Sequence, residues 1–360
     1  METLKIMSAG PTSVHPDVLQ ASRSSLKNTD LDADYLAFQK SCEQKISKLL
    51  HTEQPSFIML GEAMLGLDGA MASFIEPGDR VLVLENGVFG RGFHSMARAY
   101  GAETVAFVGD SRRGISVDDL EKFLDEDDAF KLATMVHCET PTGITNDVHA
   151  IGQVLNAHNI LSVSDSVSAI AGEQLDFDAS KLDVVIGGSQ KCLSALTGLT
   201  TITLSARAQE VLVKRQTPVA GWYQNFQNYL QETDGFAYPY TQSDTLVNAL
   251  AKALDLALNH DFVSRHIEFS SLTRQFVQDL GYEIYAQDSY ANTVTTVLLK
   301  NGLSTQTVLD AMRQKGYMLS GAMADLSGKA FRIGHMGNNI ANPEEYKKML
   351  DALAEVLGEH

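Results

Sequence analysis

The stretch VVIGGSQK, residues 184–191, decides the fold class. Its first three residues are apolar and β-branched, two glycines follow, and Lys191 comes three positions later. A continuous apolar run of this kind favours a strand that is buried on both faces. Such strands belong to parallel sheets covered by helices, and their ligands bind at the carboxyl ends of the strands. The stretch therefore predicts an α/β domain with Lys191 at the ligand-binding edge of its sheet.

Similar runs lie on both sides of this stretch, and helical segments alternate with them. Most are followed by a Gly, Asp, Asn or His, which are residues typical of the turn after a strand. The runs cover residues 57–60, 80–84, 104–108, 132–136, 160–163 and 200–204. This alternation predicts a mainly parallel sheet with helical crossovers.

The pattern changes after Thr241. Apolar residues at helical spacing run from Leu246 to Val277, and a break is predicted near Asn259. Shorter strand-like and helical segments follow, with strands over 282–285, 293–299 and 331–334 and a last helix starting at Asn342-Pro343. We therefore expect a large domain over residues 18–250 and a small α+β domain made of residues 1–17 and 251–360.

Composition excludes several classes of function. The chain has 360 residues, 44% of them hydrophobic, and a formal net charge of -17, which opposes binding to nucleic acid or to anionic membranes. Its three cysteines are scattered, so neither a disulfide framework nor a structural zinc site is expected, and no metal site is predicted. We see no signal peptide and no apolar run of membrane-spanning length. These features predict a soluble, cytoplasmic protein.

Lys191 and Asp165 carry the first chemical hypothesis. A lysine amine that is partly desolvated at a strand end has a lowered pKa and becomes nucleophilic toward an aldehyde. Asp165 also follows an apolar strand, where an unpaired carboxylate is costly to bury. The protonated ring nitrogen of pyridoxal phosphate (PLP) is a suitable partner for it. The simpler alternatives are a solvated lysine that opens a helix and an aspartate that caps one.

Three further segments follow predicted strands. Residues 137–143 contain hydroxyl groups that could reach a cofactor. Residues 61–64 precede a predicted helix that runs to about Ile75, and backbone N–H groups at a helix N-terminus bind phosphate. Phe89 could stack on a planar ring, although an aromatic residue at such a position is more often part of the core.

Taken together, these segments resemble the class V aminotransferases, the branch of fold-type I PLP enzymes that includes alanine–glyoxylate and serine–pyruvate aminotransferases. The resemblance covers nearly the whole chain in order. Its landmarks are residues 8–12, 76–79, 137–143, 189–191 and 331–337. It implies a large α/β domain with a mainly parallel seven-stranded sheet and a small C-terminal α+β domain.

The resemblance also implies roles for individual residues. Lys191 matches the lysine that forms a Schiff base with PLP, and Asp165 matches the partner of the ring nitrogen. Arg332 matches the clamp for the substrate carboxylate, and Gly10 lies in the N-terminal segment beside the substrate. The remaining matches are the ring-stacking Phe89, Thr140 near the ring hydroxyl, and the phosphate contacts Glu62, Ala63, Met64 and Gln190. Tyr238 and Thr241 match residues that reach the phosphate of the neighbouring subunit, which implies a homodimer with shared active sites.

One departure concerns Glu62, which stands with Ala63 where many relatives have a Ser-Gly-rich phosphate loop. A carboxylate beside a phosphate is unfavourable unless it points away, so we hypothesise that Glu62 contacts the substrate or another cationic group. Phe89 in place of the usual tryptophan is a milder departure.

The resemblance implies transfer of an amino group from alanine or serine to glyoxylate or pyruvate. An alternative is 2-aminoethylphosphonate–pyruvate transamination, because residues 138–140 and Lys191-Cys192 also resemble that group. Cysteine desulfuration needs a nucleophilic cysteine in the C-terminal third of the chain, whereas the last cysteine here is Cys192. Desulfuration therefore ranks lower, and so does lyase chemistry. A non-catalytic α/β binding protein is the alternative from another class, but no GxGxxG or Walker motif supports it.

Overall fold

The computed structural model describes residues 4–24, 27–230, 238–300 and 302–358. Its strands are β1 (Lys5–Ile6), β2 (Ser56–Leu60), β3 (Arg80–Glu85), β4 (Glu103–Val108), β5 (Leu132–Val136), β6 (Cys138–Glu139), β7 (Ile144–Thr145), β8 (Leu161–Asp165), β9 (Val184–Gly188), β10 (Leu199–Leu204), β11 (Val294–Leu298), β12 (Tyr317–Met318), β13 (Ser320–Gly321) and β14 (Ala330–Gly334).

Its helices are α1 (Pro16–Ala21), α2 (Ala33–Leu49), α3 (Met64–Phe74), α4 (Val88–Ala99), α5 (Val117–Glu126), α6 (Val148–Ala157), α7 (Ala206–Lys214), α8 (Gln227–Leu230), α9 (Asp244–Asn259), α10 (Phe262–Asp279), α11 (Thr305–Gln314) and α12 (Pro343–Gly358). Two 3₁₀ helices cover Ala324–Leu326 and Gly337–Ile340. No helix in the described ranges is long and apolar enough to cross a membrane.

Seven strands form one large sheet in the order β2-β10-β9-β8-β5-β3-β4. Strands β9, β8, β5, β3 and β4 pair in parallel, whereas β10 is antiparallel to both of its neighbours. Each of the seven strands predicted from the apolar runs is present, with ends that differ by one or two residues. The predicted fold class, a mainly parallel seven-stranded sheet in an α/β domain, is confirmed.

The large sheet is buried on both faces. Along β3, Val81 and Val83 belong to one apolar cluster, and Leu82 and Leu84 belong to the other. Successive residues of a strand point to opposite faces, so a run without polar positions is what two covered faces require. The continuous hydrophobicity of these strands is therefore explained by helices on both sides.

The C-terminal part has its own sheet and apolar cluster. Strands β11, β14 and β13 pair in an antiparallel sheet, and β1 pairs in parallel with β12, so the N-terminal residues join this part of the chain. The break predicted near Asn259 is present, because α9 ends at Asn259 and Asp261 caps the N-terminus of α10 by accepting a 3.0 Å hydrogen bond from Ser264 N. The predicted boundary after residue 250 falls inside α9, and the division into two domains remains a prediction.

One predicted strand is much reduced. Residues 282–285 make only an isolated antiparallel bridge, between Ile284 and Val297. Directly beyond it the chain leaves the sheet edge, and Gln287 N donates to Arg112 O at 2.8 Å. The apolar and aromatic character of this segment reflects packing instead, since Tyr282 and Ile284 lie in the C-terminal apolar cluster.

Candidate active site

The ends of two neighbouring parallel strands place Asp165 and Lys191 at one cleft. Asp165 is the last residue of β8, and β9 ends three residues before Lys191. Four further residues predicted for the site, Glu62, Ala63, Met64 and Phe89, line the same cleft. The complete lining is Glu62, Ala63, Met64, Leu67, Phe89, Cys138, Asp165, Val167, Ser168 and Lys191.

Asp165 is a buried carboxylate, with 6% of its surface exposed. Its Oδ1 accepts a 3.0 Å hydrogen bond from Val167 N. Burial raises its pKa to about 6, while the Val167 N–H and the charge of Lys191 act in the opposite direction. No salt bridge of Asp165 is formed within the described residues, so this carboxylate is suited to a cationic hydrogen-bond donor from a ligand.

Lys191 lies in a turn and does not open a helix. Its Nζ donates a 3.0 Å hydrogen bond to Ala9 O. Burial lowers the pKa of this amine, and the nearby positive charge of Arg332 lowers it further. A lysine with a lowered pKa carries more neutral amine near neutral pH, and the neutral form is the nucleophile and the proton acceptor.

The N-terminal segment closes over Lys191. Gly10 has a φ of +98°, and a Cβ on this residue would lie 2.4 Å from Lys191 Cδ. Thr12 fixes the segment to the same turn, since its N donates to Gln190 O at 3.0 Å and its Oγ1 donates to Lys191 O at 3.0 Å. Gly10 therefore lies against the candidate catalytic lysine, and its predicted contact with the substrate stays a prediction.

Glu62, which lines the cleft, is hydrogen-bonded to Gln190. Glu62 Oε1 accepts a 2.5 Å hydrogen bond from Gln190 Nε2, and Glu62 Oε2 accepts a 3.0 Å bond from Met64 N at the start of α3. Gln190 is buried, and its Oε1 has no hydrogen-bond partner in the part of the chain that the structure describes. Glu62 therefore contacts a neutral amide and a helix N-terminus, and none of its contacts within the described ranges is to a cationic side chain.

Phe89 is positioned by a residue that the sequence did not assign to the cofactor. The buried Glu139 carboxylate accepts hydrogen bonds from Phe89 N at 3.2 Å and from Gly90 N at 2.6 Å, in the first turn of α4. Burial raises the pKa of Glu139 to about 7, and these two N–H groups oppose that shift. Gly87 makes room for the carboxylate, because a Cβ there would lie 2.4 Å from Glu139 Cδ.

Neither Thr140 nor Arg332 is among the residues that line the cleft. Thr140 is buried in the turn that joins β6 to β7, two residues after Cys138. Arg332 is on β14, and its Nε donates to Gly321 O at 2.8 Å. The two Nη atoms of Arg332 make no hydrogen bond or ion pair with any described residue. Its guanidinium thus keeps a pair of donors for a carboxylate.

Tyr238 and Thr241 do not join the cleft of their own chain. Tyr238 Oη donates to Glu43 Oε1 at 3.1 Å, and Thr241 Oγ1 donates to Asp30 Oδ2 at 2.8 Å. Neither residue is among the residues that line the cleft. Their predicted contact with a neighbouring subunit stays a prediction.

The sequence missed the contacts that join distant parts of the chain. The hydrogen bond from Lys191 Nζ to Ala9 O was not predicted. Three residues that line the cleft, Val167, Ser168 and Leu67, were not predicted either. Val167 and Ser168 could have been found, because they directly follow Asp165 in the turn after β8. The Ala9 contact spans 182 positions, and no local pattern signals it.

The arrangement can be compared with the shape and chemistry of PLP. The ring end fits, since a buried carboxylate without a salt bridge among the described residues and a desolvated amine face one cleft. The phosphate end does not fit as it stands. Its expected donors, Met64 N and Gln190 Nε2, are both engaged by the Glu62 carboxylate.

Comparison with known proteins agrees with this geometry. The family model for class V aminotransferases matches residues 7–263. An aminotransferase of Methanocaldococcus jannaschii is 32% identical, over 92% of this chain and 87% of its own length. A pyridoxamine–pyruvate transaminase of Mesorhizobium japonicum is 31% identical, over 92% of this chain and 86% of its own length. The crystal structure of a ureidoglycine–glyoxylate aminotransferase from Bacillus subtilis superposes with a TM-score of 0.95 at 26% identity, covering 100% of this chain and 94% of that one.

These matches extend over the ordered segments on which the sequence resemblance rested, and they include the turn that carries Lys191. The expected family and enzyme class are confirmed. The chain belongs to the class V aminotransferases, a family of PLP-dependent transaminases with the fold-type I architecture.

Proposed function

We propose that this enzyme moves an amino group from a small amino acid, alanine or serine, to glyoxylate or pyruvate, with a pyridoxal ring bound between Asp165 and Lys191. One observation carries the proposal. The buried carboxylate of Asp165 and the desolvated amine of Lys191 stand at the ends of adjacent parallel strands and face one cleft.

Each residue has a defined part in this proposal. When bound, PLP supplies an aldehyde carbon for the amino group and an electron sink for the substrate Cα. Asp165 would hold the ring nitrogen in its protonated form, Phe89 would pack on the ring face, and Thr140 would contact the ring hydroxyl. The Lys191 amine would hold the aldehyde, and its neutral form would accept the proton from the substrate Cα.

Arg332 is proposed to bind the carboxylate that amino acid and oxo acid share. Its unengaged Nη atoms suit a bidentate pair. Gly10, which packs against the Lys191 side chain, is proposed to contact the substrate as well. Lys191 is the only cation among the residues that line the described cleft. This favours a small donor over 2-aminoethylphosphonate, which brings a phosphonate that needs a further cationic contact.

The names of relatives support the same substrate class. An enzyme of Drosophila melanogaster is an alanine–glyoxylate aminotransferase and one of Arabidopsis thaliana is a serine–glyoxylate aminotransferase. Pyruvate is the acceptor named for the Mesorhizobium japonicum relative. Glyoxylate and pyruvate are both small 2-oxo acids that one arginine clamp can hold.

We extend the proposal to assembly and location. Tyr238 and Thr241 would complete the site of a second subunit in a homodimer, which their absence from the cleft of their own chain supports. The large domain would span residues 18–250 and the small domain residues 1–17 and 251–360. A cytoplasmic location fits the absence of a membrane-spanning helix in the described ranges.

The proposal is tested by single-turnover experiments. Purified enzyme loaded with PLP is mixed with L-alanine, L-serine or 2-aminoethylphosphonate, and the oxo product is measured before an acceptor is added. We expect one equivalent of pyruvate or hydroxypyruvate per site, and then formation of glycine or alanine when glyoxylate or pyruvate is added. Release of product only from 2-aminoethylphosphonate would overturn the proposed donor class.

A further inference from the structure

The anion-binding end of the cleft already contains an anion. Glu62 places one carboxylate oxygen on Gln190 Nε2 and the other on Met64 N, which are two of the donors expected to hold a cofactor phosphate. The carboxylate thus lies where the phosphate would lie. A second anion can enter only if Glu62 gives up both hydrogen bonds.

Hydrogen-bonding capacity distinguishes a phosphate from a hydroxyl group at this position. An ionised carboxylate accepts hydrogen bonds and donates none, and the oxygens of a phosphate dianion do the same. Gln190 Oε1 is also an acceptor, but it is buried, and Gln190 is not among the residues that line the cleft. Glu62 is therefore the acceptor that this part of the cleft offers to a ligand. A hydroxyl group can donate to it, whereas a phosphate dianion cannot.

The charges of the residues that line the cleft also disfavour a phosphate. Two carboxylates, Glu62 and Asp165, and a single cation, Lys191, are among the residues that line the cleft. Glu62 forms no salt bridge within the described ranges that would neutralise it. Like charges in one partly buried site repel each other more strongly than they do in water. A dianionic phosphate next to Glu62 is accordingly disfavoured, while a neutral hydroxymethyl group is not.

We infer that the ring site selects the phosphate-free form of vitamin B6, and that pyridoxamine itself serves as an amino donor. The inference rests on the proposed function, since it uses the same ring site and the same oxo acids. Pyridoxamine carries a hydroxymethyl group where its phosphorylated form carries a phosphate. That hydroxyl donates to the Glu62 carboxylate, which lines the cleft.

The reaction balances without an external oxidant. The C–N bond of pyridoxamine breaks, and a C–N bond to the carbonyl carbon of pyruvate forms. The electron pair and a proton leave the C4′ carbon of pyridoxamine and arrive at that carbon of pyruvate, so that pyridoxal and alanine are produced. Water released on condensation is consumed on hydrolysis. Lys191 is the group placed to carry the proton between the two carbons.

The inference is tested by comparing both forms of the ring on one protein. Protein freed of bound B6 compounds is titrated with pyridoxal and with PLP, and pyridoxamine and its 5′-phosphate are compared as donors to pyruvate by measuring alanine. We expect pyridoxal to bind at least roughly tenfold more tightly than PLP, and pyridoxamine to be the better donor. Glu62→Gln removes the charge at nearly constant size, so the preference should shrink or reverse.

Glu53→Gln is the matched control, because Glu53 is an exposed glutamate and makes no contact with the cleft. It should leave the preference unchanged. Tighter binding of PLP than of pyridoxal by the wild-type protein overturns the inference, even if Glu62→Gln fails to fold. In that case, transfer from L-alanine or L-serine by the PLP-loaded enzyme leaves the proposed function standing. Failure of the protein to bind either ring or to transaminate any donor overturns both.

Discussion

Gly10 packs directly on Lys191, although 181 positions separate them in the sequence. A Cβ added to Gly10 would lie 2.4 Å from Lys191 Cδ and 2.7 Å from Lys191 Nζ, and the φ of Gly10 is +98°. Any side chain at position 10 therefore strains the backbone and also displaces the lysine. A substitution at a second glycine with a similar φ, but with open space around it, separates these two effects.

Gly10→Ala is expected to lower transaminase activity by about 100-fold, because a reacting group displaced by about 1 Å loses this much rate. Gly78→Ala is its matched control. Gly78 has a φ of +90°, so its backbone strain is similar, but a Cβ there meets nothing within 4 Å. Thermal melting should show a similar loss of stability in both variants. Equal activities of the two variants would contradict the role assigned to the Gly10–Lys191 contact.

Asp165→Asn is expected to lower activity by about 10- to 100-fold, because the charge-assisted hydrogen bond to the ring nitrogen is lost. The fold should be kept, since a neutral amide is less costly to bury than this carboxylate. The measurement is kcat for the half-reaction, with a melting curve of the ligand-free protein alongside. An unchanged kcat at full loading of the ring would show that Asp165 does not hold it.

Arg332→Lys is expected to raise the KM for both the amino acid and the oxo acid by about 10-fold or more, with a smaller change in kcat. A lysine keeps the charge, but it cannot form the planar bidentate pair with a carboxylate. Steady-state kinetics with alanine and glyoxylate measure this. A change in kcat alone, at unchanged KM, would argue against a carboxylate clamp.

Glu173 gives a prediction about pH and stability. This buried carboxylate accepts hydrogen bonds from Asn292 N at 2.6 Å and from Asn292 Nδ2 at 2.7 Å, and burial raises its pKa to about 8. The folded state thus keeps a proton that the unfolded chain releases near its ordinary pKa of 4.5. Between these two values the folded state binds more protons, so this group contributes stability that is lost as the pH rises.

Glu173→Gln should remove this contribution. The free energy of unfolding of the wild-type protein should fall between pH 5 and pH 8 by up to a few kcal/mol more than that of the variant. Urea unfolding at both pH values measures it, and Glu53→Gln should behave like the wild type. Identical pH dependence of the wild type and Glu173→Gln would refute the assignment.

Local sequence was sufficient for the strands and for the residues at their ends. Asp165 and Lys191 could be placed at the edge of the sheet because they closely follow apolar runs, and this rule needs no tertiary information. Their roles came from the family resemblance and stay predictions. The antiparallel direction of β10 was not predicted, since strand order depends on pairing between distant segments. Residues 282–285 were predicted as a strand because most of them are apolar or aromatic. In the structure Tyr282 and Ile284 pack in the C-terminal apolar cluster instead.

Six of the twelve predicted site residues line the cleft, but the contacts among them were not predicted. Gln190 and Met64 were expected to bind phosphate, and Glu62 was expected to contact the substrate or another cationic group. The structure instead joins all three to one another. Side-chain rotamers and the approach of α3 to the turn after β9 decide this contact, and neither can be read from a linear pattern. The same holds for Glu139 at the first turn of α4.

The central claim is that the Lys191 amine binds a pyridoxal ring and carries out transamination. Its most direct test is the visible absorption spectrum of the purified protein with bound ring, recorded before and after the addition of an amino donor, for the wild type and Lys191→Ala. We predict an absorption band in the wild type that the donor removes and that glyoxylate or pyruvate restores, and no such cycle in Lys191→Ala. A wild-type protein that shows no band with either pyridoxal or PLP, or a Lys191→Ala variant that cycles like the wild type, would contradict the account.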